Sequence, residues 1–291
     1  MKTLIQNYSS GLSTEPLYFN QCFSQCGLEC HLWADPSIST FDMFDSTMPE
    51  VFISHYKFIT NDIIKYLSQN NKIETIINIT GANPNELQSI EDMCEQQNIK
   101  VPFVFTNLYS FMHNLKPKRV KLVDIIPAAD IFLPSLPAPN FQIDLAILST
   151  SKNDIIPTVT KNRSVYHLLS LGQENEEFDL AVDLKTMMGL YNKYKEIMLI
   201  DDVVLVSSQI LFETSLKAHK VSVRVDKEQQ PILDRVLAML FHEQNEVEDM
   251  GEVVRQQILR KHTCFNRTAR LSRFLKNEEA SKQLQSMSEK L

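Results

Sequence analysis

The sequence predicts an α/β protein of two domains, each built on a parallel sheet. Short apolar segments alternate with longer segments of helical periodicity along most of the chain, and this alternation is typical of strands joined by crossover helices. The chain has 291 residues, of which 43% are hydrophobic, so it can form two buried cores. We expect two Rossmann-like domains that face each other across a cleft, with a ligand held between opposed strand ends.

A proline-rich segment separates the two alternations. It runs from Pro127 to Pro139 and contains four prolines, which stiffen a connection between domains. The predicted organisation is an N-terminal domain over 1–126, a linker over 127–140, a C-terminal domain over 141–275 and a polar tail over 276–291.

The order of apolar and amphipathic segments predicts the individual elements. In the N-terminal domain the predicted strands are 3–7, 29–33, 51–53, 73–79 and 101–106, and the predicted helices are 16–26, 58–69 and 84–97. In the C-terminal domain the predicted strands are 143–148, 178–182, 197–200, 203–206 and 221–225, and the predicted helices are 184–194, 209–217, 230–241 and much of 253–275.

The turn after the first predicted strand contains a carboxylate that could belong to a site. Ser13 or Thr14 can cap the following helix, Glu15 suits its positive end and Pro16 suits its first turn. Capping alone is a sufficient explanation of this composition. Open α/β sheets, however, bind their ligands at the carboxyl ends of strands, so Glu15 is also a candidate site residue.

The cysteines and acidic pairs give little indication of a metal site. The chain has five cysteines, an odd number, which favours reduced thiols in an intracellular protein over a disulfide framework. Cys22, Cys26 and Cys30 are close in sequence, but Gly27 should end the helix before Cys30. Asp201 and the aspartate after it are more typical of a solvated turn than of a cation site. We predict no metal, although a divalent ion is compatible with the sequence.

Charge is segregated along a chain whose net charge is −7. An acidic average disfavours indiscriminate binding to nucleic acid, but two stretches are locally basic. They comprise Arg255, Arg260, Lys261, Arg267, Arg270, Arg273 and Lys276, with no acidic residue among them, and a shorter group of Lys116, Lys118, Arg119 and Lys121. They indicate either solvated faces or surfaces that contact phosphate.

No apolar run is long enough for a membrane span, and we expect a soluble protein with no membrane partner.

A second carboxylate lies in the most informative part of the C-terminal domain. The segment from Val203 to Val225 predicts a strand, two serines, a helix that carries Glu213, and another strand. A carboxylate in that position can accept the hydroxyl hydrogen bonds of a ribose, as in other nucleotide-binding α/β folds. An exposed helical glutamate without a ligand is the alternative.

Several short motifs, in this order, resemble those of a known enzyme family. They are Ser13-Thr-Glu-Pro-Leu-Tyr18, the sequence Gly27-Leu-Glu-Cys-His-Leu32, Phe105-Thr-Asn107, Phe212-Glu213, and the ending from Val254 to Arg267. Together they resemble the GT-B glycosyltransferases, including the spore-maturation-like branch, with a closer likeness to the phage DNA β-glucosyltransferases. The resemblance spans most of the chain, but each motif is short, and the specificity comes from their order and spacing.

The resemblance implies a GT-B fold and transfer of a sugar, a hexose or a pentose such as arabinose, from a UDP-sugar to hydroxymethylcytosine in double-stranded DNA. No cofactor is implied, and the site of action would be the cytoplasm of a phage-infected bacterium. Glu15 and Asn107 would be catalytic. The donor would be bound by Gly11, Ser151, Lys152, Arg163 and Glu213, and flanking DNA phosphates by Lys118, Arg119, Arg267 and Arg270.

Three departures from the family pattern affect these expectations. Asn107 stands where the family has an aspartate base, and an amide does not accept a proton at neutral pH. Glu15 is therefore the leading base, followed by Asp124 and His113. Ile210 replaces an arginine, so Lys152 and Arg163 would meet the diphosphate charge. The glycines usual in that loop are also missing.

Two other functions are compatible with the sequence. One is a glycosyltransferase that acts on a protein or a surface glycan. The other is a glycosyltransferase-like binding module without catalysis, which the three departures favour. If Glu15 is the base, Glu15→Gln should abolish most turnover with almost no loss of stability, because the sequence places Glu15 at an ordinary helix end.

Overall fold

The computed structural model describes residues 1–8, 15–79, 84–99, 103–106, 121–124, 128–132, 143–149, 166–171, 180–182, 194–200, 222–225, 253 and 255–291. The chain divides into two compact units. The first comprises Met1–Ser9, Thr14–Pro127 and Cys264–Lys290, and the second comprises Ser10–Ser13, Ala128–Thr263 and Leu291. Each unit contains a parallel sheet, which confirms the predicted α/β class.

Six parallel strands form the sheet of the first unit, in the order β2-β1-β3-β4-β5-β6. Five of them correspond to predicted strands, whereas the edge strand β6 was not predicted. The strands are β1 (Lys2–Gln6), β2 (Glu29–Trp33), β3 (Val51–His55), β4 (Glu74–Asn78), β5 (Phe103–Thr106) and β6 (Lys121–Asp124).

The central strands are buried on both faces, as expected for a parallel sheet covered by helices. Leu4 and Ile5 of β1 and Phe52 and Ile53 of β3 are each fully buried. The short apolar runs Leu4–Ile5 and Val51–Ile53 therefore reflect two-sided burial, which explains why these segments could be predicted as strands from sequence.

Six α-helices of the described residues belong to this unit. Helix α2 was not predicted, because it is short and only Phe44 and Thr47 in it are buried. The helices are α1 (Glu15–Gln25), α2 (Thr40–Thr47), α3 (Asn61–Gln69), α4 (Pro84–Gln96), α5 (Cys264–Phe274) and α6 (Glu278–Ser288).

Helix α1 packs one apolar face inward and ends at a glycine. Its buried residues recur at helical spacing, namely Glu15, Pro16, Tyr18, Phe19, Cys22 and Phe23. Gly27 follows with φ of 69°, and the backbone N–H of Leu28 donates to the carbonyl of Phe23 at 3.1 Å. This left-handed position is the usual reason for a glycine after a helix.

The C-terminal helices pack on the first unit. Helix α5 contacts α1 and α6, and α6 buries Ala280 and Leu284 one turn apart. The stretch predicted as a polar tail is thus a packed amphipathic helix, whose polar face dominates its composition. Residues 264–275, predicted as part of the second domain, also belong to the first unit.

The second unit contains a five-stranded parallel sheet in the order β11-β10-β7-β8-β9. Numbered in chain order within the unit and read from the β9 edge, this order is 3-2-1-4-5. It matches the order of dinucleotide-binding folds, in which a switch point lies beside the first strand. Strand β8 was not predicted. The predicted strand 203–206 and the predicted helices 209–217 and 230–241 lie outside the described residues, as does the predicted helix 184–194 apart from Tyr194, which begins β10. The strands are β7 (Ile143–Ser149), β8 (Tyr166–Leu171), β9 (Leu180–Val182), β10 (Tyr194–Ile200) and β11 (Ser222–Val225).

A small cluster in the second unit joins the segment after Pro127 to the segment before α5. The backbone N–H of Ala129 donates to the carbonyl of His262 at 2.8 Å, and Ala129 packs with Ile258. Residues 255–261 are helical, as predicted for much of 253–275.

Candidate functional site

Each sheet has a topological switch point, where the strand order reverses and α/β folds open a crevice for ligands. In the first sheet this point lies between β1 and β3, and in the second between β7 and β10. Ser151 and Lys152 follow the end of β7 closely in sequence, and Asp201 directly follows β10. A ligand is therefore expected at the carboxyl ends of β1 and β3 in the first unit and, separately, at those of β7 and β10 in the second.

The switch point of the first sheet contains a buried ion pair. Glu15, the first residue of α1, is 5% exposed, and Arg267 of α5 is 4% exposed. The Nη2 group of Arg267 donates a short hydrogen bond to Glu15 Oε2. The two residues are 252 positions apart in sequence, so this pair connects α1 to α5.

Two neutral donors also contact the Glu15 carboxylate. The Tyr8 hydroxyl, just after β1, donates to Oε1 at 2.7 Å. The Asn78 side-chain amide, at the end of β4, donates to the same oxygen at 2.7 Å. Because β3 lies between β1 and β4, the carboxylate lies across the ends of three neighbouring strands. A buried charge is stable only when it is paired and hydrogen-bonded, and these donors meet that requirement for the Glu15 carboxylate.

The electrostatics of the cluster agree with a buried ion pair. Burial by itself would lower the pKa of Arg267, but the surrounding charges, that of Glu15 first among them, outweigh it and the pKa is raised. Burial raises the pKa of Tyr8 well above its ordinary value, and the negative charge of Glu15 raises it further. Tyr8 is therefore a neutral donor at any ordinary pH.

These contacts restrict what Glu15 can do chemically. Three donors already converge on its two oxygens, so an acceptor hydroxyl would have to reach a lone pair beside them or displace one. The catalytic role of Glu15 stays a prediction. Its position at the start of α1 and its ion pair with Arg267 are the roles visible in the structure.

An aromatic turn follows β3 at the same edge of the sheet. His55 ends the strand, and Tyr56–Phe58 form a 3-10 turn after it. The His55 ring lies 5.5 Å from the Tyr8 ring and 4.7 Å from the Tyr56 ring, centroid to centroid. The aromatic turn thus adjoins the ion-pair cluster through Tyr8.

Tyr8, Asn78 and His55 were not identified from the sequence. Each one lies at or shortly after the carboxyl end of a strand. The strand-end rule that singled out Glu15 could have found them as well, had it been applied to polar residues at every strand end and not only to motifs.

The predicted DNA-binding residues Arg267 and Arg270 have different environments. Arg270 is exposed, whereas the guanidinium of Arg267 is buried against Glu15, so a phosphate contact by Arg267 would require the ion pair to open. Near the end of α5, Lys121 Nζ lies 4.6 Å from the centroid of the Phe274 ring. This cation–π contact joins the two basic stretches of the sequence within the first unit.

The other predicted site residues lie outside the described residues: Gly11, Asn107, Lys118, Arg119, Ser151, Lys152, Arg163 and Glu213, and with them the alternative base His113. Asp124, the other alternative base, is the last residue of β6. Their roles stay predictions.

A cavity of about 630 Å³ opens at the opposite edge of the first sheet. It is lined by the amino-terminal ends of β1, β3 and β4 and by the connection between α5 and α6. In it, Glu50 accepts from the Lys2 backbone N–H at 2.9 Å and pairs with the chain's amino group at 3.3 Å. Because ligands of parallel sheets bind at the carboxyl edge, we do not place the site in this cavity.

The thiols show no features of a reactive or metal-binding group. None of the five cysteines, all of which the structure describes, forms a disulfide, and burial raises the pKa of Cys30 to about 12. Among the residues described, no group of three or more His, Cys, Asp or Glu side chains is arranged to hold a metal ion. None of the helices in the described part of the chain has both the length and the apolar character required to cross a membrane.

Comparisons with known proteins give only distant likenesses. Neither a protein-family model nor a curated protein matches the sequence. The solved structure of CalG4, the calicheamicin glycosyltransferase, has a TM-score of 0.37 and 10% identity, covering 95% of this chain and 97% of that one. The structure of SsfS6, a glycosyltransferase from Streptomyces sp. SF2575, has a TM-score of 0.45 and 8% identity, covering 94% and 99%.

A third likeness is to a putative UDP-N-acetylglucosamine 2-epimerase from Listeria monocytogenes. Its TM-score is 0.45 at 9% identity, covering 96% of this chain and 98% of that one. All three likenesses have TM-scores below 0.5, and they identify no family for the chain.

Proposed function

We propose that the chain is a glycosyltransferase of the GT-B type, which transfers a sugar from a nucleoside diphosphate donor to a hydroxyl group. The observation that carries this proposal is the strand order of the second sheet, β11-β10-β7-β8-β9, which reverses beside its first strand, β7. In α/β folds such an order opens a crevice for ligands at the switch point, which here corresponds to the ends of β7 and β10. Ser151 and Lys152 follow β7 in sequence, and the motif resemblance agrees with a sugar nucleotide as the ligand.

In the proposed reaction, the acceptor oxygen forms a bond to the anomeric carbon of the sugar as the bond from that carbon to the diphosphate oxygen breaks. The diphosphate leaves with the electron pair, and the hydroxyl proton passes to a base. Lys152 and Arg163 stabilise the charge on the leaving diphosphate, and Glu213 accepts hydrogen bonds from the ribose. The donor is a UDP-sugar, and Glu15 is the leading base.

We further propose that the acceptor is hydroxymethylcytosine in double-stranded DNA. Such a base has to leave the helical stack to be modified, and basic residues are then needed to hold the flanking phosphates. The exposed Arg270 and Arg273 on α5 and the neighbouring Lys121 support this acceptor. Transfer to a protein or surface glycan, or binding without catalysis, are the alternatives that the following experiments address.

The donor assignment predicts stabilisation by uridine diphosphate. Because a ligand that binds only the folded state shifts unfolding, millimolar UDP should raise the melting temperature measured by differential scanning fluorimetry. Glu213→Ala should weaken UDP binding by about 1 to 3 kcal/mol, which is about 5- to 150-fold, because it removes a charge-assisted hydrogen bond to the ribose. Isothermal titration calorimetry measures the affinity directly.

A matched control for Glu213 is Glu174→Ala, which removes the same charge from an acidic stretch with no proposed ligand. UDP affinity of the control should equal that of the wild type. If wild-type protein is not stabilised by UDP, the transferase proposal fails. If Glu213→Ala and Glu174→Ala bind UDP equally well, Glu213 is not the ribose ligand.

The DNA assignment predicts salt-dependent binding that depends on exposed arginines of α5. Replacing Arg270 and Arg273 together by Ala should reduce the slope of log affinity against log salt by about 0.9 for each phosphate that the variant no longer neutralises. Binding is measured across a salt series by fluorescence anisotropy, with a duplex that contains hydroxymethylcytosine. Release of UDP from the donor in the absence of DNA should stay the same.

The control for this experiment is Lys282→Ala with Lys290→Ala, which removes two exposed charges from the C-terminal region at α6. The control changes the net charge by the same amount as the arginine variant, and it should leave the slope of log affinity against log salt almost unchanged. Equal slopes for the wild type and the arginine variant would contradict the DNA assignment and favour a glycan acceptor. Lys118→Ala with Arg119→Ala tests the second basic stretch in the same assay.

A further inference from the structure

The aromatic turn after β3 is not used by the proposed donor chemistry. Its rings are contiguous: the His55 and Tyr56 centroids are 4.7 Å apart, and the Phe58 ring meets His55 edge-on at 6.4 Å with an interplanar angle of 78°. Phe58 is 43% exposed. Single exposed apolar side chains are ordinary in soluble proteins. A contiguous set of aromatic rings at the ligand-binding edge of a parallel sheet is not explained in this way.

The rings are held in place from both sides, so this surface is preorganised. The backbone N–H of Lys57 donates to His55 Nδ1 at 3.3 Å, and the Tyr8 ring lies against His55. Tyr56 packs against the buried cluster around Ile77 and Leu87. Burial, followed by the charge and hydrogen bond of Glu86, raises the pKa of Tyr56 to about 12, so Tyr56 stays neutral.

A cation accompanies the rings. Lys57 Nζ lies 5.7 Å from the centroid of the Tyr56 ring, and Lys57 is exposed. Nucleotides of single strands bind to proteins by stacking on aromatic rings beside basic side chains, because a base has a π-face and its phosphate carries a negative charge. The charge of Lys57 favours a nucleotide over a neutral sugar as the occupant.

We propose that His55, Tyr56 and Phe58 form a stacking platform for the acceptor base, with Lys57 at an adjoining phosphate of the same strand. This rests on the proposed function, since it concerns the acceptor of that reaction. Stacking of one base on aromatic side chains compensates for part of the cost of removing the base from the duplex. The platform lies at the carboxyl edge of the first sheet, beside the Glu15 cluster.

The test compares two single-stranded DNA oligonucleotides that differ at one position, one with hydroxymethylcytosine and one with an abasic site. Wild-type protein should prefer the first by about 5- to 150-fold, the range measured for one stacked base. Phe58→Ala should lose most of this preference, and Phe58→Tyr should retain it. Lys57→Ala should weaken the binding of both oligonucleotides equally and keep the preference between them, because it removes a phosphate contact.

Met48→Ala is the matched control, since Met48 is an apolar side chain that is 71% exposed after α2. The Met48→Ala variant should bind both oligonucleotides as the wild type does, and all variants should have the melting temperature of the wild type. The platform is overturned if Phe58→Ala keeps the preference, or if the wild type has none. Stabilisation by UDP is measured on the same samples. If it persists without any base preference, the platform is wrong and the transferase stands, whereas its absence counts against the transferase itself.

Discussion

Replacing Arg267 by Met should lower the free energy of unfolding by about 3 to 5 kcal/mol, because it leaves the buried carboxylate of Glu15 without its counter-charge. Both side chains are almost fully buried, so water cannot replace the missing partner. Met has a similar length and fills the space beside Phe19, whose ring lies 5.8 Å from the guanidinium carbon in a cation–π contact that the variant loses. Urea denaturation, followed by far-ultraviolet circular dichroism, measures the difference.

The matched control is Arg270→Met on the same helix. Arg270 is exposed, and surface substitutions of this kind change stability by about 0.5 kcal/mol or less. The double variant Glu15→Gln with Arg267→Met completes a double-mutant cycle. Because both charges are then absent, its destabilisation should be smaller than the sum of the two single effects. If Arg267→Met is no more destabilising than Arg270→Met, the pair does not hold α5 to α1.

The ion pair also changes what Glu15→Gln can reveal. The sequence alone indicates a cap residue, whose neutralisation would cost only a few tenths of a kcal/mol. With Arg267 buried against it, we expect Glu15→Gln to destabilise the protein substantially. A fall in turnover in this variant is therefore informative only when it is compared with Arg267→Met, which perturbs the same cluster and leaves the Glu15 carboxylate in place.

Much of the first sheet could be predicted because its central strands are buried on both faces. Segments such as those of β1 and β3 contain short apolar runs, Leu4–Ile5 and Val51–Ile53, and helices such as α1 and α3 have apolar residues at regular spacing. The elements that were missed have weak patterns. Helix α2 has eight residues and two buried ones, and β6 is a four-residue edge strand.

The candidate site could be predicted only in part, because its partners are distant in sequence. The strand-end rule singled out Glu15, and the structure places Glu15 at the switch point of the first sheet. The rule cannot reveal that Arg267 is buried there. In sequence Arg267 is one of several basic residues between Arg255 and Lys276. Only the packing of α5 on α1 shows that Arg267 is buried while neighbours such as Arg270 are exposed.

The second large effect is expected at Lys152, which we propose stabilises the leaving diphosphate. Lys152 follows β7, the first strand of the second unit, and a cation at this end of a parallel sheet meets the charge that develops as the sugar bond breaks. Lys152→Met should lower kcat by about a hundredfold to a thousandfold, which is the range for removing one such group. Donor affinity should fall less, because the charge on the diphosphate is greatest in the transition state.

The measurement is UDP release from the UDP-sugar that the wild type uses fastest, at saturating donor, together with UDP affinity by calorimetry. Lys161→Met is the matched control, because it removes the same charge from the same segment of the chain and has no proposed role. A selective fall in kcat for Lys152→Met, with the melting temperature unchanged, supports stabilisation of the leaving group. If both lysine variants retain wild-type kcat, the diphosphate charge is met by another residue, and Arg163→Met becomes the decisive variant.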